Sequence, residues 1–174
     1  MPRGSGGLRS GAAMERDQFR AMISQLTAQI ADEPLDAALE ARLNREHGTG
    51  SPTYERIRSA CQDAIVAGWM CDREAEGIRY GRVIKPAPET HGFSVDVVDM
   101  EECAGPHHVH PNGEIDLVMP LDGVAAFDGR SAGWKVYEPA SAHFPTVRGG
   151  RALVLYLLPQ GAIQFTGRQP EKNP

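Results

Sequence analysis

Five of the six histidines fall from His91 onward, and three of them crowd into Gly105-Pro-His-His-Val-His-Pro-Asn-Gly-Glu114. His108 and His110 are two residues apart, so on a β-strand both imidazoles point to one side. Pro111-Asn112-Gly113 is a reverse-turn sequence that would start a neighbouring strand at Glu114, beside the two rings. A lone His143 follows the turn sequence Glu138-Pro139-Ala140. Two imidazoles, a carboxylate and a third imidazole make a nitrogen and oxygen donor set for a divalent transition metal, with Fe, Mn, Zn, Ni and Co all admissible. The metal ligands expected are His108, His110, Glu114 and His143. His107 is expected behind the ligands or exposed, His47 at a helix end, and His91 on the surface or at a pocket mouth.

Strand alternation extends the site. If Glu114 points inward, Asp116 and Val118 do so too, and Ile115, Leu117 and Met119 face the opposite side. A buried Asp116 beside a metal or substrate is a candidate proton carrier, because burial raises a carboxyl pKa. Glu114, Asp116, His108 and His110 are therefore the expected catalytic groups. In Ile78-Arg-Tyr-Gly-Arg-Val-Ile84, Arg82 alternates with Ile78, Tyr80 and Ile84 and so shares a largely apolar face. An Arg fork suits a carboxylate, and Arg82 is expected to bind one if the substrate is an acid, with Arg148 and Arg151 as rivals. Tyr80, Phe93, Phe127, Trp134 and Tyr156 are either core or the walls of an aromatic pocket, with Tyr80 and Tyr156 the expected substrate contacts.

The elements that must position these groups divide the chain in two. Phe19, Met22, Ile23, Leu26 and Ile30 have helical spacing over Glu15–Ala31. Pro34 suits the opening turn of a second helix carrying Leu35, Ala38, Leu39 and Leu43. Ser51-Pro52 is an N-cap followed by a first-turn proline for a third, running toward Cys71. From Ile78 the pattern changes to short β-branched runs: 78–85, 93–100, 107–110, 114–121, 124–127, 134–137, 152–158 and 162–165. Turn signals separate them, Gly149-Gly150 among these. Helices followed by many short antiparallel strands make an α+β chain whose second half is a sandwich or small barrel. The expected divisions are a disordered leader over 1–13, a helical segment over 14–76, a β-domain over 77–167 and a flexible tail over 168–174.

Composition narrows the function classes. The 174 residues suit one main domain, and 41% hydrophobic content is enough for a core. Mean hydropathy is -0.37, and no run approaches the roughly 20 apolar residues of a membrane span. A net charge of -5 argues against general nucleic-acid binding. Acidic residues crowd the first helices, which makes DNA contact there improbable. Three scattered cysteines and no secretory apolar core suggest a reducing, cytoplasmic setting. The helices are expected to serve as a cap or as the arm of a homodimer.

Gly105–Gly123 resembles the first cupin motif, G…H-x-H-x3-E…G, and Gly133–His143 resembles the second, G-x5-P-x-G-x2-H-x3-N. In the second, His143 comes one residue early, Ser141 occupies the usual Gly position, and the closing Asn is absent, with Val147 four residues after His143. A closer resemblance is to the 4-hydroxylaminobenzoate lyase family. It is carried by His108-Val-His-Pro-Asn-Gly-Glu-Ile-Asp116, Phe127-Asp-Gly129, Gly133-Trp-Lys-Val-Tyr137, Ser141-Ala-His-Phe-Pro-Thr-Val147 with Gly149-Gly150, Leu155-Tyr-Leu-Leu-Pro159 and Gly161-Ala-Ile163. The resemblance implies a cupin-like antiparallel barrel (a double-stranded β-helix, or jelly roll) after the helices. It also implies a small aromatic acid substrate and conversion of 4-hydroxylaminobenzoate to 3,4-dihydroxybenzoate with release of ammonia. The donor set fits two other readings: a metal-dependent cupin dioxygenase or isomerase on a small aromatic, and a ligand-binding cupin without catalysis.

Overall fold

The computed structural model describes residues 14–172; the expected leader over 1–13 lies outside the described residues. Three helices come first: α1 (Arg16–Ala28), α2 (Ala37–His47) and α3 (Pro52–Ala67). Ten strands follow: β1 (Arg73–Ala75), β2 (Ile78–Ile84), β3 (Phe93–Ala104), β4 (His108–His110), β5 (Glu114–Pro120), β6 (Ala126–Phe127), β7 (Gly133–Tyr137), β8 (Ser141–His143), β9 (Thr146–Pro159) and β10 (Gln164–Phe165). β1 forms a hairpin with β2, so the large sheet begins upstream of the expected boundary at 76/77.

Local chemistry sets the helix ends. α1 opens on a capping box between Glu15 and Gln18. α2 starts later than Pro34 predicts, because Asp36 is the better cap: its carboxylate accepts the Leu39 N–H at 3.0 Å. Ser51 caps α3 by accepting the Tyr54 N–H at 3.2 Å. α3 stops at Gly68, ahead of Cys71, because Gly68 takes a left-handed conformation at φ 86°.

All the strand pairings are antiparallel. The large sheet runs β1-β2-β3-β9-β5-β7 with β6 also on β9, and the small sheet runs β10-β4-β8. This is a two-sheet, cupin-like arrangement with the helices packed on its outside. Ile115, Leu117 and Met119 join Val95, Val97, Leu153, Leu155, Leu157 and Trp134 in one core with Phe19, Ile23, Leu26, Leu39, Leu43 and Ile57. On the other face of the same sheet, Val118 packs with Ile78, Met100, Phe127, Val147, Val154, Tyr156 and Leu158. The helices thus cover the sheet face opposite the site. Their apolar stripes are buried within their own chain, not left free as a cap or a dimer arm would require.

Two irregularities correct the strand reading. Gly149-Gly150 does not end a strand; β9 runs through it as a bulge opposite β3. A Cβ on Gly150 would lie 2.5 Å from Asp122 Oδ1, and one on Gly149 2.9 Å from the Val124 carbonyl. In β2 the register shifts between Arg82 and Ile84. Ile84 therefore packs into the helix-side core, and it does not share a face with Arg82.

β7 is an edge strand, and α2 protects that edge with side chains. Asn44 accepts the Trp134 N–H at 2.8 Å and donates to the Trp134 carbonyl at 2.8 Å. Glu40 accepts the Val136 N–H at 3.0 Å. The Trp134 indole donates to the His47 carbonyl at 2.9 Å. These bonds stand where a further strand would pair. Replacing Asn44 by Ala strands a donor and an acceptor, so Asn44→Ala should lower stability by about 2 kcal/mol in urea unfolding. Arg45→Ala, at an exposed position on the same helix, should leave it unchanged.

Candidate functional site

The turn between β4 and β5 builds the first part of the site. The Gly113 N–H donates to the His110 carbonyl at 3.2 Å, and Gly113 sits at φ 84°. A Cβ there would come within 2.7 Å of the Tyr137 carbonyl. Glycine is therefore required, and the tight reversal seats Glu114 against His110. β8 brings the fourth donor, because His143 pairs with His108 in register and Ser141 pairs with His110. His108, His110, Glu114 and His143 converge with one donor atom each, all within 4.8 Å of one another. The early His143 is thus no obstacle, since the β4–β8 register carries it to the cluster.

The hydrogen-bond partners fix the tautomers. His108 Nδ1 lies 3.2 Å from the Pro106 carbonyl, which only accepts. His143 Nδ1 lies 2.5 Å from a carboxylate oxygen of Asp128. His110 Nδ1 lies 2.9 Å from Ser141 Oγ, whose own proton goes to the Glu138 carbonyl at 2.6 Å. All three Nδ1 atoms therefore carry hydrogen, and all three Nε2 atoms face inward, where their lone pairs are available to a metal. His143 Nε2 is 3.0 Å from that of His108 and 3.2 Å from that of His110. Glu114 Oε2 lies 3.7 Å from His108 Nε2 and 3.8 Å from His143 Nε2, and it contacts His110 Nε2.

Both oxygens of Glu114 lack a hydrogen-bond partner among the described residues. Burial pushes the Glu114 carboxyl up, but positive charge on His108 and His110, carried by protons on the imidazoles when no metal lies between them, outweighs burial and holds it at about 2. Three lone pairs and a buried carboxylate meeting at one point repel each other unless a cation lies among them. The donors present fit a transition metal.

A polar row crosses the large sheet behind the cluster, on the same face. Register places Arg82 beside Asp96, Asp96 beside Tyr156, Tyr156 beside Asp116, and Asp116 beside Lys135. Asp116 is fully buried, and both its oxygens lack a partner among the described residues. Burial, then the charge of Glu114, push its carboxyl well above the usual range, which favours its protonated form. Burial, then Asp116, likewise push the Tyr156 phenol up.

Arg82 points to the site's face, but its fork is turned on Asp96 at 3.0 and 3.2 Å and on the Gly161 carbonyl at 3.2 Å. Tyr80 lies on the same face beside Val98 and is partly exposed. Of the rivals, Arg151 is paired with Asp99 at 2.6 Å, and the exposed Arg148 bonds the Val147 carbonyl at 3.2 Å. Phe93 and Trp134 belong to the helix-side core, and Phe127 lies 6.0 Å from His143. His107 is buried behind the ligands, bonded to Thr166 at 2.7 Å.

Sequence reasoning missed Asp128, Tyr137, Ser141 and Lys135 as site residues. Asp128-Gly129 reads as a turn, and no spacing rule joins Asp128 to a histidine fifteen residues on. Lys135 could have been found by alternation from Asp116's neighbouring strand, where its ammonium lies 5.1 Å from the Tyr137 ring centre.

Residues 21–165 match the profile of the 4-hydroxylaminobenzoate lyase family (PnbB). The chain belongs to that family. It is 31% identical over 168 residues to a 4-hydroxylaminobenzoate lyase of Pseudomonas putida, covering 87% of this chain and 96% of that one. It is 38% identical over 136 residues to a 4-hydroxylaminobenzoate lyase of Nocardioides sp. (strain LMS-CY), covering 73% of this chain and 80% of that one. Solved structures similar to it include a DMSP lyase from Ruegeria pomeroyi (19% identity, 88% of this chain and 98% of that one, TM-score 0.39). Another is an RmlC-like cupin from Ralstonia eutropha (13% identity, 52% and 62%, TM-score 0.39).

The turn that seats Glu114 is open to test. Gly113→Ala should destabilise the fold by about 1–3 kcal/mol in chemical denaturation, since strain and the contact with the Tyr137 carbonyl add. Asn112→Ala in the same turn should have a smaller effect, because Asn112 makes only one long bond, to the Pro159 carbonyl at 3.4 Å.

Proposed function

We propose that the protein is an ammonia-releasing lyase that converts 4-hydroxylaminobenzoate to 3,4-dihydroxybenzoate, with a divalent transition metal held by His108, His110, Glu114 and His143. The carrying observation is membership of the lyase family over a span that includes all four donors. The reaction consumes one water net and returns the nitrogen as ammonia. It is internally balanced in electrons: breaking the N–O bond reduces the nitrogen while the ring is oxidised. No outside oxidant is needed. A cytoplasmic homodimer acting on a small aromatic acid in nitroaromatic breakdown completes the reading, and three free thiols agree with a reducing compartment. Among the described residues no helix is long and apolar enough to cross a membrane.

A bound metal would supply Lewis acidity to the hydroxylamine oxygen or to the water. The residues do the rest. Hydroxide is a poor leaving group, so the departing N-hydroxyl needs a proton. Asp116, whose carboxyl is pushed up, is the candidate to supply it, in a position shielded from bulk water and beside the donor cluster. The Tyr156 hydroxyl adjoins Asp116 in the polar row and, kept protonated, is a further hydrogen-bond donor to the substrate, with Tyr80 as an outer aromatic wall. Arg82 and Lys135 close the two ends of that row and are the candidates for the substrate carboxylate. Arg82 is already committed to Asp96, whereas Lys135 has no carboxylate partner within 4 Å among the described residues.

Purified, metal-replete protein given 4-hydroxylaminobenzoate without oxygen should release ammonia and 3,4-dihydroxybenzoate in equal amounts. A requirement for oxygen would instead indicate the dioxygenase reading, and saturable binding without product the binding-protein reading. Asp116→Asn should cut kcat by about 100-fold or more, with the fold intact by circular dichroism. Lys135→Met should raise KM by about tenfold or more with kcat largely kept. Arg82→Met should mainly lower stability, since it leaves the half-buried Asp96 without its counter-ion.

A further inference from the structure

The three imidazoles of the cluster differ in what stands behind them. His108 has a backbone carbonyl and His110 a serine hydroxyl, both neutral. Only His143 has an ion: Asp128 Oδ2, 2.5 Å from its Nδ1. His143 is also the most exposed of the four donors, at 12% of its side chain, and it sits at the end of a three-residue strand. Backbone pairing alone constrains it less than it constrains the ligands on β4 and β5.

Asp128 is itself held from several sides. The Tyr137 hydroxyl donates to the same Oδ2, and the Thr146 N–H donates to Oδ1 at 3.0 Å. Its own N–H donates to the Thr146 carbonyl at 2.9 Å. Its backbone takes a left-handed conformation at φ 48°, which Asp and Asn tolerate better than most residues. The Tyr137 ring packs on both His143 and His110, with centroids 4.7 and 5.0 Å away. The Asp128 carboxylate thus accepts three hydrogen bonds, from the His143 ring, the Tyr137 hydroxyl and the Thr146 N–H.

We propose that Asp128 is a positioning residue for the metal centre: its carboxylate fixes the ring of His143 and supplies, with Glu114, the two negative charges that balance a divalent cation. This rests on the metal reading given above. Three neutral imidazoles and Glu114 leave such a cation with one excess positive charge inside the protein. Asp128, acting through the His143 N–H, offsets that charge and keeps the His143 Nε2 aimed at the donor cluster. Tyr137 keeps the carboxylate aimed.

The test is Co(II) titration of chelator-stripped full-length protein, followed by visible absorption. Asp128→Asn keeps an oxygen that can accept from His143 and suits the left-handed backbone, but it removes the charge. It should bind Co(II) about 10–100-fold more weakly than the parent, with an altered absorption band and an unchanged near-ultraviolet circular dichroism spectrum. Ser141→Ala, which removes a neutral partner, should weaken Co(II) binding less. Tyr137→Phe keeps the ring and frees Asp128, so it should weaken binding severalfold, and it serves as the deciding variant if Asp128→Asn fails to fold. Co(II) affinity within twofold of the parent in the folded variants would overturn the proposal while leaving the metal reading standing. A parent protein that binds no Co(II) would overturn both.

Discussion

Everything in the β-domain is subordinate to one electrostatic problem: three imidazole lone pairs and a carboxylate must be held within about a van der Waals contact of one another, out of water. Left to themselves these groups would turn away or take up protons. Each Nδ1 is tied to an oxygen behind it, so no ring can flip its lone pair outward. Those oxygens come from three kinds of place: a loop carbonyl before β4, a serine on β8, and a turn before β7. The small sheet exists in effect to bring the first two together, and its shortness is tolerable because the cluster itself joins it to β5.

The large sheet answers a different demand. β5 must present Glu114 and Asp116 to one side while burying Ile115, Leu117 and Met119 on the other. A strand polar on its buried inner face is stable only if its other face is thoroughly apolar and covered, and the helices supply that cover. The helical half therefore contributes no donor to the cluster, yet the site depends on it. Register in β5 is strongly fixed, since a slip of one residue would put two carboxyls into the helix-side core.

Much of this was readable from residues. The His-x-His pair, the turn at Pro111-Asn112-Gly113 and the alternation from Glu114 lead directly to the observed faces of β4 and β5, because a period of two leaves no choice once one residue is placed. Three kinds of feature were not readable. β8 is three residues long with a polar-small sequence, so His143 reads only as a lone histidine after a turn, and its pairing with β4 has no mark in the sequence. The bulges in β2 and β9 turn on where the partner strand loses a residue, which no single strand records; hence simple alternation puts Ile84 on the wrong face and Gly149-Gly150 reads as an end. Asp128 and Asn44 act across long separations through single side-chain bonds, and a turn residue and a helix residue carry no mark of such partners.

Two acids one strand step apart end with opposite character, and the cluster explains why. Glu114 and Asp116 share strand, face and depth, so burial penalises both as anions. Glu114 lies among the imidazoles and keeps its charge. Asp116 has no imidazole against it, and burial and the charge of Glu114 outweigh the pull of Lys135 across the strand pair, so its carboxyl is pushed well up. The ligand and the proton donor are thus not distinguished by residue type but by which of the two the β4–β5 turn brings against the histidines. A site assembled this way obtains an anionic ligand and a proton-holding acid from two adjacent inward positions of one strand, the acid pushed up first by burial and then by the charge of Glu114 beside it.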